Sequence, residues 1–221
     1  PWNHHRKRSL MEHKQSRPLV LIDFDGVVNQ FPDGKVRRHQ NTTSWMKPGD
    51  ARMALYAPDH WFVPDNVGVA RAGGSRWRIH WSSTLVRRLD ALDADIWWLS
   101  TWQPYTEELN YLLGVDWKTV EWYDPVTRNG ILTGKRRAVL SHLKLGRPIV
   151  WIDDEEVTQE AADDLKAAAP QAPVLGIGPS GEIGISQPQM ELIDDFVANP
   201  PNWPVLRFNA AEERHSSHWG Y

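Results

Sequence analysis

The chain contains no cysteine. Disulfide bonds, thiolate catalysis and cysteine-ligated zinc are therefore excluded, and we expect a cytoplasmic protein. No apolar run approaches the roughly 18 residues that a membrane span needs, so we expect no membrane partner. The N-terminal residues also lack the apolar segment of a secretory signal.

The chain also lacks a large excess of positive or of negative charge. The 221 residues carry a formal net charge of -3, so the average surface is not that of a nucleic-acid coat protein. The length favours one domain of ordinary size, or one domain with a modest insertion. What the chain does have is 13 tryptophans. We expect most of them in the core or in a cleft wall, with an exposed subset able to stack on bases.

The chain divides into three parts. Residues 1–17 are polar and basic, which predicts a flexible tail. Residues 18–198 alternate continuously apolar strands with helices, which predicts an α/β fold with a doubly wound, Rossmann-like parallel sheet. Within them, residues 30–80 are rich in Gly, Pro, Asn and Trp and look like a small irregular cap insertion. Residues 199–221 show no assignable element and are treated as a C-terminal tail.

The apolar patterns place five strands and five helices in the central part. The predicted strands are 18–24, 96–100, 117–122, 149–152 and 172–178. The predicted helices are 82–92, 104–113, 135–146, 157–168 and 188–197. Ser82 or Ser83 is expected to cap the first helix, and Gly114 to end the second.

Pairs of acids follow two of these strands. Asp23 and Asp25 stand at the end of the first strand, in LVLIDFDGVVN, and Asp153 and Asp154 follow the strand 149–152. The carboxyl ends of parallel strands lie on one edge of the sheet, so neighbouring strands would bring these carboxylates together. Their repulsion in a desolvated cleft would be offset by a hard divalent cation. Mg²⁺ is therefore the predicted cofactor.

Each acidic pair also has an ordinary structural explanation. Asp-Gly is common in turns, and Asp-Asp after a strand often caps a helix. Two strands that both end in acids make the metal site the better interpretation.

Four stretches occur in the order of a known set of motifs. LVLIDFDGVV, IWWLST, a lysine that opens a helix, and PIVWIDDEE resemble the four motifs of the haloacid dehalogenase (HAD) superfamily of phosphatases and phosphotransferases. The resemblance covers roughly residues 18–197, with the insertion where that family carries cap modules. LSTW and WIDDE are similar, more narrowly, to the small HAD domain associated with RNA-repair proteins. The acid at Asp25 favours phosphate chemistry over dehalogenation, and the DKTGT motif of transport ATPases is absent.

The resemblance implies a role for each matched residue. Asp23 would be the nucleophile that forms an aspartyl-phosphate. Asp25 would be the general acid and then the base, and its backbone carbonyl would also bind the metal. Ser100, or Thr101 one position later, would donate a hydrogen bond to a phosphate oxygen. Lys135 would offset charge on the phosphoryl group.

Further roles follow from the same resemblance. Asp153 and Asp154 would hold the metal, with Asp154 expected as the direct ligand. Lys118 is an alternative to Lys135, which the motif order favours. Gly26 would give the backbone freedom for the sharp turn after the acid.

Arginine and tryptophan side chains in or beside the insertion are candidates for substrate contact, since Arg forks bind phosphates and Trp stacks on bases. We expect Gly26, Arg76, Trp77 and Trp102 to contact the substrate.

The expected function is therefore that of a Mg²⁺-dependent phosphomonoesterase acting through an aspartyl-phosphate, on a nucleotide or on the phosphate of a nucleic-acid end. One alternative is a small-metabolite phosphatase or phosphotransferase. Another is a catalytically idle, Trp-rich nucleic-acid-binding protein. A complete set of four motifs disfavours the idle protein.

Overall fold

The computed structural model describes residues 16–132 and 134–211. The predicted basic tail therefore lies outside the described residues except for its last two positions, and so do residues 212–221. Within the described part, no helix has both the length and the apolar composition needed to cross a membrane.

The strands of the described residues form two sheets. They are β1 (Leu19–Ile22), β2 (Asn66–Ala72), β3 (Ser75–Trp81), β4 (Asp95–Trp98), β5 (Lys118–Thr119), β6 (Ile149–Ile152), β7 (Val174–Gly178) and β8 (Leu206–Ala210). Six of them form one sheet in the order β5-β4-β1-β6-β7-β8, and every neighbouring pair in it is parallel. β2 and β3 form a separate antiparallel hairpin.

Six α-helices accompany these strands in the described part of the chain. They are α1 (Gly34–Arg38), α2 (Ser83–Asp90), α3 (Thr106–Leu113), α4 (Gly134–Leu143), α5 (Gln159–Ala167) and α6 (Gln187–Ala198), with short 3₁₀ turns at Ala51–Met53 and Gln103–Tyr105. Ser82 caps α2 by accepting a hydrogen bond from the Leu85 amide, and Gly114 ends α3 in a left-handed conformation. Both terminal residues are as predicted.

The central strand β1 is buried on both faces. Val20 and Ile22 pack in a cluster that includes residues of α2, α3 and α6, whereas Leu19 and Leu21 pack in a second cluster with residues of α4 and α5. A strand buried on both faces must be continuously apolar, as LVLI is. The predicted α/β, Rossmann-like architecture with a parallel sheet is thus confirmed.

The predicted C-terminal tail is wrong for part of its length. Residues 206–210, for which the sequence predicts no element, form β8 and pair with β7 at the edge of the sheet. The physical reason is the packing of Phe208, whose ring lies edge-on to Trp151 at 6.3 Å between centroids. Only one apolar face of β8 is covered, so its sequence shows no long apolar run.

The insertion is more regular than the sequence suggested. Its C-terminal part is the β2–β3 hairpin, in which seven residue pairs are in register. Ala70, Ile79 and Trp81 are buried in the same cluster as Leu109 of α3. The hairpin is therefore anchored to the main core through one face. By contrast, the predicted strand 117–122 is reduced to Lys118–Thr119.

Candidate active site

Three carboxylates converge at the carboxyl end of the central strands. β1 and β6 are neighbours with Ile22 opposite Ile152, so Asp23 and Asp153 leave the sheet at the same level. The described residues place one carboxylate oxygen each of Asp23, Asp153 and Asp154 within 4.8 Å of one another. All three side chains are buried. This buried acidic cluster could hold a metal ion, as the sequence predicted.

A lysine from α4 lies within the cluster. The Lys135 ammonium donates to Asp23 Oδ2 at 2.5 Å and to Asp153 Oδ2 at 2.8 Å. Lys135 as a residue is only 8% exposed. Lys118, the alternative, lies on β5, where its ammonium is 5.8 Å from the ring centroid of Trp97. The structure thus brings Lys135 to the carboxylates and places Lys118 against a tryptophan.

The two acids that follow β6 have different surroundings. Asp153 Oδ1 accepts from the backbone amides of Glu155 and Glu156 at 3.0 and 2.8 Å, while its Oδ2 accepts from Lys135. Within residues 16–132 and 134–211, no hydrogen bond reaches the Asp154 carboxylate. More of the lone pairs of its oxygens are therefore available to bind a cation than is the case for Asp153.

Gly26 allows the Asp154 carboxylate to approach the turn that carries Asp25. The φ angle of Gly26 is +69°, and a Cβ atom there would lie 2.0 Å from Asp154 Oδ2. Any side chain would collide with that carboxylate, and an L-residue would also strain the backbone. Glycine is therefore required at position 26 for two reasons: the turn after Asp25 and the close approach of the Asp154 carboxylate.

Asp25 is held apart from the other acids by two side-chain donors. Asn29 Nδ2 donates to Asp25 Oδ1 at 2.7 Å, and Trp102 Nε1 donates to Asp25 Oδ2 at 2.8 Å. Trp102, predicted as a substrate contact, is buried and bonded to the acid. Asn29 was not among the site residues predicted from the sequence. The only feature of the sequence that could have indicated a role for it is its position, as a polar residue directly after the apolar pair Val27-Val28.

Ser100 and Thr101 differ in their relation to the site. Ser100 is almost fully buried and accepts from the Trp102 backbone amide at 3.2 Å. Its hydroxyl is also close enough to Asp23 to help stabilise that carboxylate. Thr101 is bound through its backbone carbonyl, which accepts from the Tyr123 hydroxyl at 2.9 Å.

Burial controls the charge of the acidic cluster. It raises the pKa of Asp23 to about 7, an effect that Lys135 opposes and Asp153 reinforces. It also raises the pKa of Asp154 to about 9, with further contributions from Asp23 and Asp153. Burial alone would lower the pKa of Lys135, but the charges of Asp153 and Asp23 raise it above its ordinary value. The ammonium thus remains charged, whereas the cluster retains protons in the absence of a cation.

The pKa of Asp25 is raised as well. Burial is the main cause, and the hydrogen bonds from Asn29 and Trp102 oppose it because they stabilise the ionised form. An acid with a raised pKa is suited to donating and then accepting a proton near neutral pH.

Arg76 and Trp77, the other predicted substrate contacts, lie on β3. Adjacent residues of a strand point to opposite faces, so the two side chains are on different sides of the hairpin. The Trp77 indole N–H donates to the Ala72 carbonyl of the same hairpin at 3.3 Å. Arg76 is opposite Arg71 on the other face.

We expect Mg²⁺ to stabilise the protein more strongly at pH 9 than at pH 7. A carboxylate whose pKa is raised in the folded state stabilises the fold below its unfolded pKa, and loses that contribution as the pH rises through the folded value. For Asp154 this window extends from 3.8 to about 9. The cation must displace the proton, so binding strengthens across the same window. Thermal unfolding with and without Mg²⁺ at both pH values measures the difference.

The matched control for this experiment is Asp154→Asn, which cannot titrate. Its Mg²⁺-dependent stabilisation should be smaller and should vary less with pH. A stabilisation of the wild-type protein that is equal at the two pH values would contradict the expected proton displacement.

No family model, curated protein or solved structure matches this chain.

Proposed function

We propose that the protein is a Mg²⁺-dependent phosphomonoesterase of the HAD type that acts through an aspartyl-phosphate on Asp23. The observation that supports this most strongly is the placement of Asp23 beside the Lys135 ammonium and two further carboxylates, with a separately held acid two residues later. A structural turn or a helix cap requires neither the buried lysine nor the second acidic strand end.

The donor set fits a hard divalent cation. Three buried carboxylates face one ammonium, so the ionised cluster carries an excess of negative charge that Mg²⁺ offsets. Asp23 and Asp154 are the proposed carboxylate ligands, together with the backbone carbonyl of Asp25. When bound, Mg²⁺ supplies positive charge that stabilises the phosphate oxygens of the substrate. Asp153 is fully engaged by protein donors and fixes the position of Lys135.

In the first step, a carboxylate oxygen of Asp23 attacks the phosphorus of the monoester. The bond between phosphorus and the leaving oxygen breaks, and Asp25 donates its proton to that oxygen. Lys135 and Ser100 stabilise the charge on the phosphoryl oxygens. Asp23 is oriented for this attack because its Oδ1 accepts from the Phe24 amide at 2.7 Å while Lys135 holds its Oδ2.

In the second step, the ionised Asp25 accepts a proton from water as the water attacks the phosphorus. The acyl-phosphate bond breaks, inorganic phosphate is released, and Asp23 returns to its carboxylate form. Asn29 and Trp102 keep the two oxygens of Asp25 in place while its charge changes.

We expect the purified protein to hydrolyse a generic aryl phosphate in Mg²⁺ and to lose this activity in EDTA. The physical reason is the uncompensated negative charge that a phosphate dianion would meet in the metal-free cluster. Release of the aryl alcohol is the measurement, and restoration by excess Mg²⁺ is the control for irreversible damage. Full activity in the chelator would remove the role of the metal. No hydrolysis with any phosphate ester, with Mg²⁺ binding intact, would favour the idle binding protein.

A further inference from the structure

The outer face of the hairpin carries a row of arginines. Residues opposite each other in an antiparallel pair share a face, and the register pairs Arg71 with Arg76 and Val69 with Arg78. All four side chains are exposed, whereas Ile79 and Trp81, on the other face of β3, are buried. We call Arg71, Arg76 and Arg78, together with Arg37 of α1, the arginine face.

Arg37 is included in this surface because its charge, like that of Arg78, acts on His80 near the end of β3. Partial burial lowers the pKa of His80, and the charges of Arg37 and Arg78 lower it further. The imidazole is thus neutral at physiological pH, and the positive charge of the surface comes from the guanidinium groups.

One acidic side chain contacts the arginine face through the backbone: Glu108 Oε1 accepts a hydrogen bond from the Arg71 amide at 3.3 Å. None of its four guanidinium groups forms an ion pair within residues 16–132 and 134–211, in a chain whose formal net charge is negative. Five other arginines are paired with carboxylates: Arg17, Arg52, Arg88, Arg136 and Arg147. Arg38, Arg87, Arg128 and Arg207 also form no ion pair within the described residues, so what distinguishes the arginine face is that Arg71, Arg76 and Arg78 share one side of the hairpin. Unpaired arginines that share one face favour a polyanion as the binding partner.

One buried side chain connects this surface to the candidate active site. The His80 backbone amide donates to Asn29 Oδ1 at 2.9 Å, and Asn29 Nδ2 donates to Asp25 Oδ1 at 2.7 Å. Asn29 is 2% exposed. In the proposed mechanism, Asp25 protonates the leaving oxygen. The strand that carries the arginine face is therefore connected, through Asn29, to the acid that faces the leaving group of the substrate.

The surface is elongated. Alternate residues of a strand are about 6.7 Å apart, so Arg76, Arg78 and the His80 end of β3 cover about 13 Å. Val67 and Val69 lie on the same face and are 55% and 44% exposed. A compact substrate would reach only the groups nearest Asn29. A row of cations with apolar side chains beside it suits a chain of phosphates that carries bases.

We propose that the arginine face binds the phosphate chain of a single-stranded nucleic acid and directs its terminal phosphate to Asp23. This inference rests on the proposed function for the fate of the terminal phosphate, but binding by the arginine face can be measured without any turnover.

The experiment measures the binding of a short, labelled single-stranded oligonucleotide with one terminal phosphate by fluorescence anisotropy, in EDTA and over a range of salt concentrations. We compare the wild-type protein with Arg37→Gln/Arg78→Gln. The matched control is Arg87→Gln/Arg207→Gln, which also removes two exposed guanidinium groups but lies on α2 and β8. We expect several-fold weaker binding for the first double variant only. Its salt dependence on a log–log scale should be less steep by about 1.4, since each lost phosphate contact contributes about 0.7 for single strands.

Two results would overturn the proposal: undetectable oligonucleotide binding by the wild-type protein, or equal losses in both double variants. Equally tight binding of phosphatidylserine vesicles or of polyglutamate, lost in the same variant, would also overturn it in favour of a membrane or an acidic protein. The aryl-phosphate assay separates the two claims. Oligonucleotide binding without aryl-phosphate hydrolysis supports the arginine face as a binding surface and contradicts the proposed phosphatase activity. Aryl-phosphate hydrolysis without oligonucleotide binding supports the phosphatase activity and contradicts the binding surface.

Discussion

Asp23→Asn is expected to lower phosphatase turnover by several orders of magnitude while the fold survives. The amide has nearly the shape of the carboxylate but is a far weaker nucleophile, so the aspartyl-phosphate would not form. The variant also removes one of three clustered negative charges, and Lys135 retains its bond to Asp153. The remaining ion pair should keep the site folded, although the amide nitrogen of the variant would face one of two donors, the Phe24 amide or the Lys135 ammonium. Steady-state kinetics with an aryl phosphate and circular dichroism measure the two effects.

Asp93→Asn is the matched control for this substitution. Asp93 is exposed and pairs with Arg17, near the opposite end of the sheet from Asp23. Surface pairs of this kind contribute little, so its turnover should equal that of the wild-type protein. Near-normal turnover of Asp23→Asn would mean that another group attacks phosphorus, and the proposed mechanism would be wrong.

The continuous apolar character of LVLI and IVWI was sufficient to predict the centre of the fold. Strands buried on both faces need such runs, and the acids that follow them then had to meet at one edge. The positions of Asp23, Asp153 and Asp154 follow from this reasoning. The place of Lys135 followed only from the order of the motifs, because no periodicity in its helix marks the residue as buried.

Other features depend on contacts between distant residues, which a single sequence does not show. Asn29 acquires its significance from two bonds of its side chain, which join His80 on one side to Asp25 on the other. β8 was missed because an edge strand needs only one covered face. The hairpin β2–β3 was missed because its outer face carries arginines and its inner face mixes glycine, alanine and tryptophan, so no clean alternation of apolar and polar residues is present.

Lys135→Met is expected to destabilise the metal-free protein by about 3–5 kcal/mol, the usual cost of removing one partner from a buried ion pair. The ammonium bonds both Asp23 and Asp153, and methionine would fill a similar volume without charge. Lys135 lowers the pKa of both Asp23 and Asp154, so its loss would raise those values further. The variant should therefore lose stability as the pH rises, and urea unfolding in EDTA at acidic and alkaline pH measures this.

Mg²⁺ should restore part of the stability of Lys135→Met, because a cation in the cluster replaces some of the missing charge. Turnover should not recover, since the metal cannot take the place of the ammonium beside the phosphoryl oxygens. The control is Lys144→Met: Lys144 is exposed just beyond α4, and its loss should change stability by no more than about 0.5 kcal/mol. If Lys135→Met were as stable as the wild-type protein in EDTA at alkaline pH, the cluster would not carry the negative charge on which the proposed metal site depends.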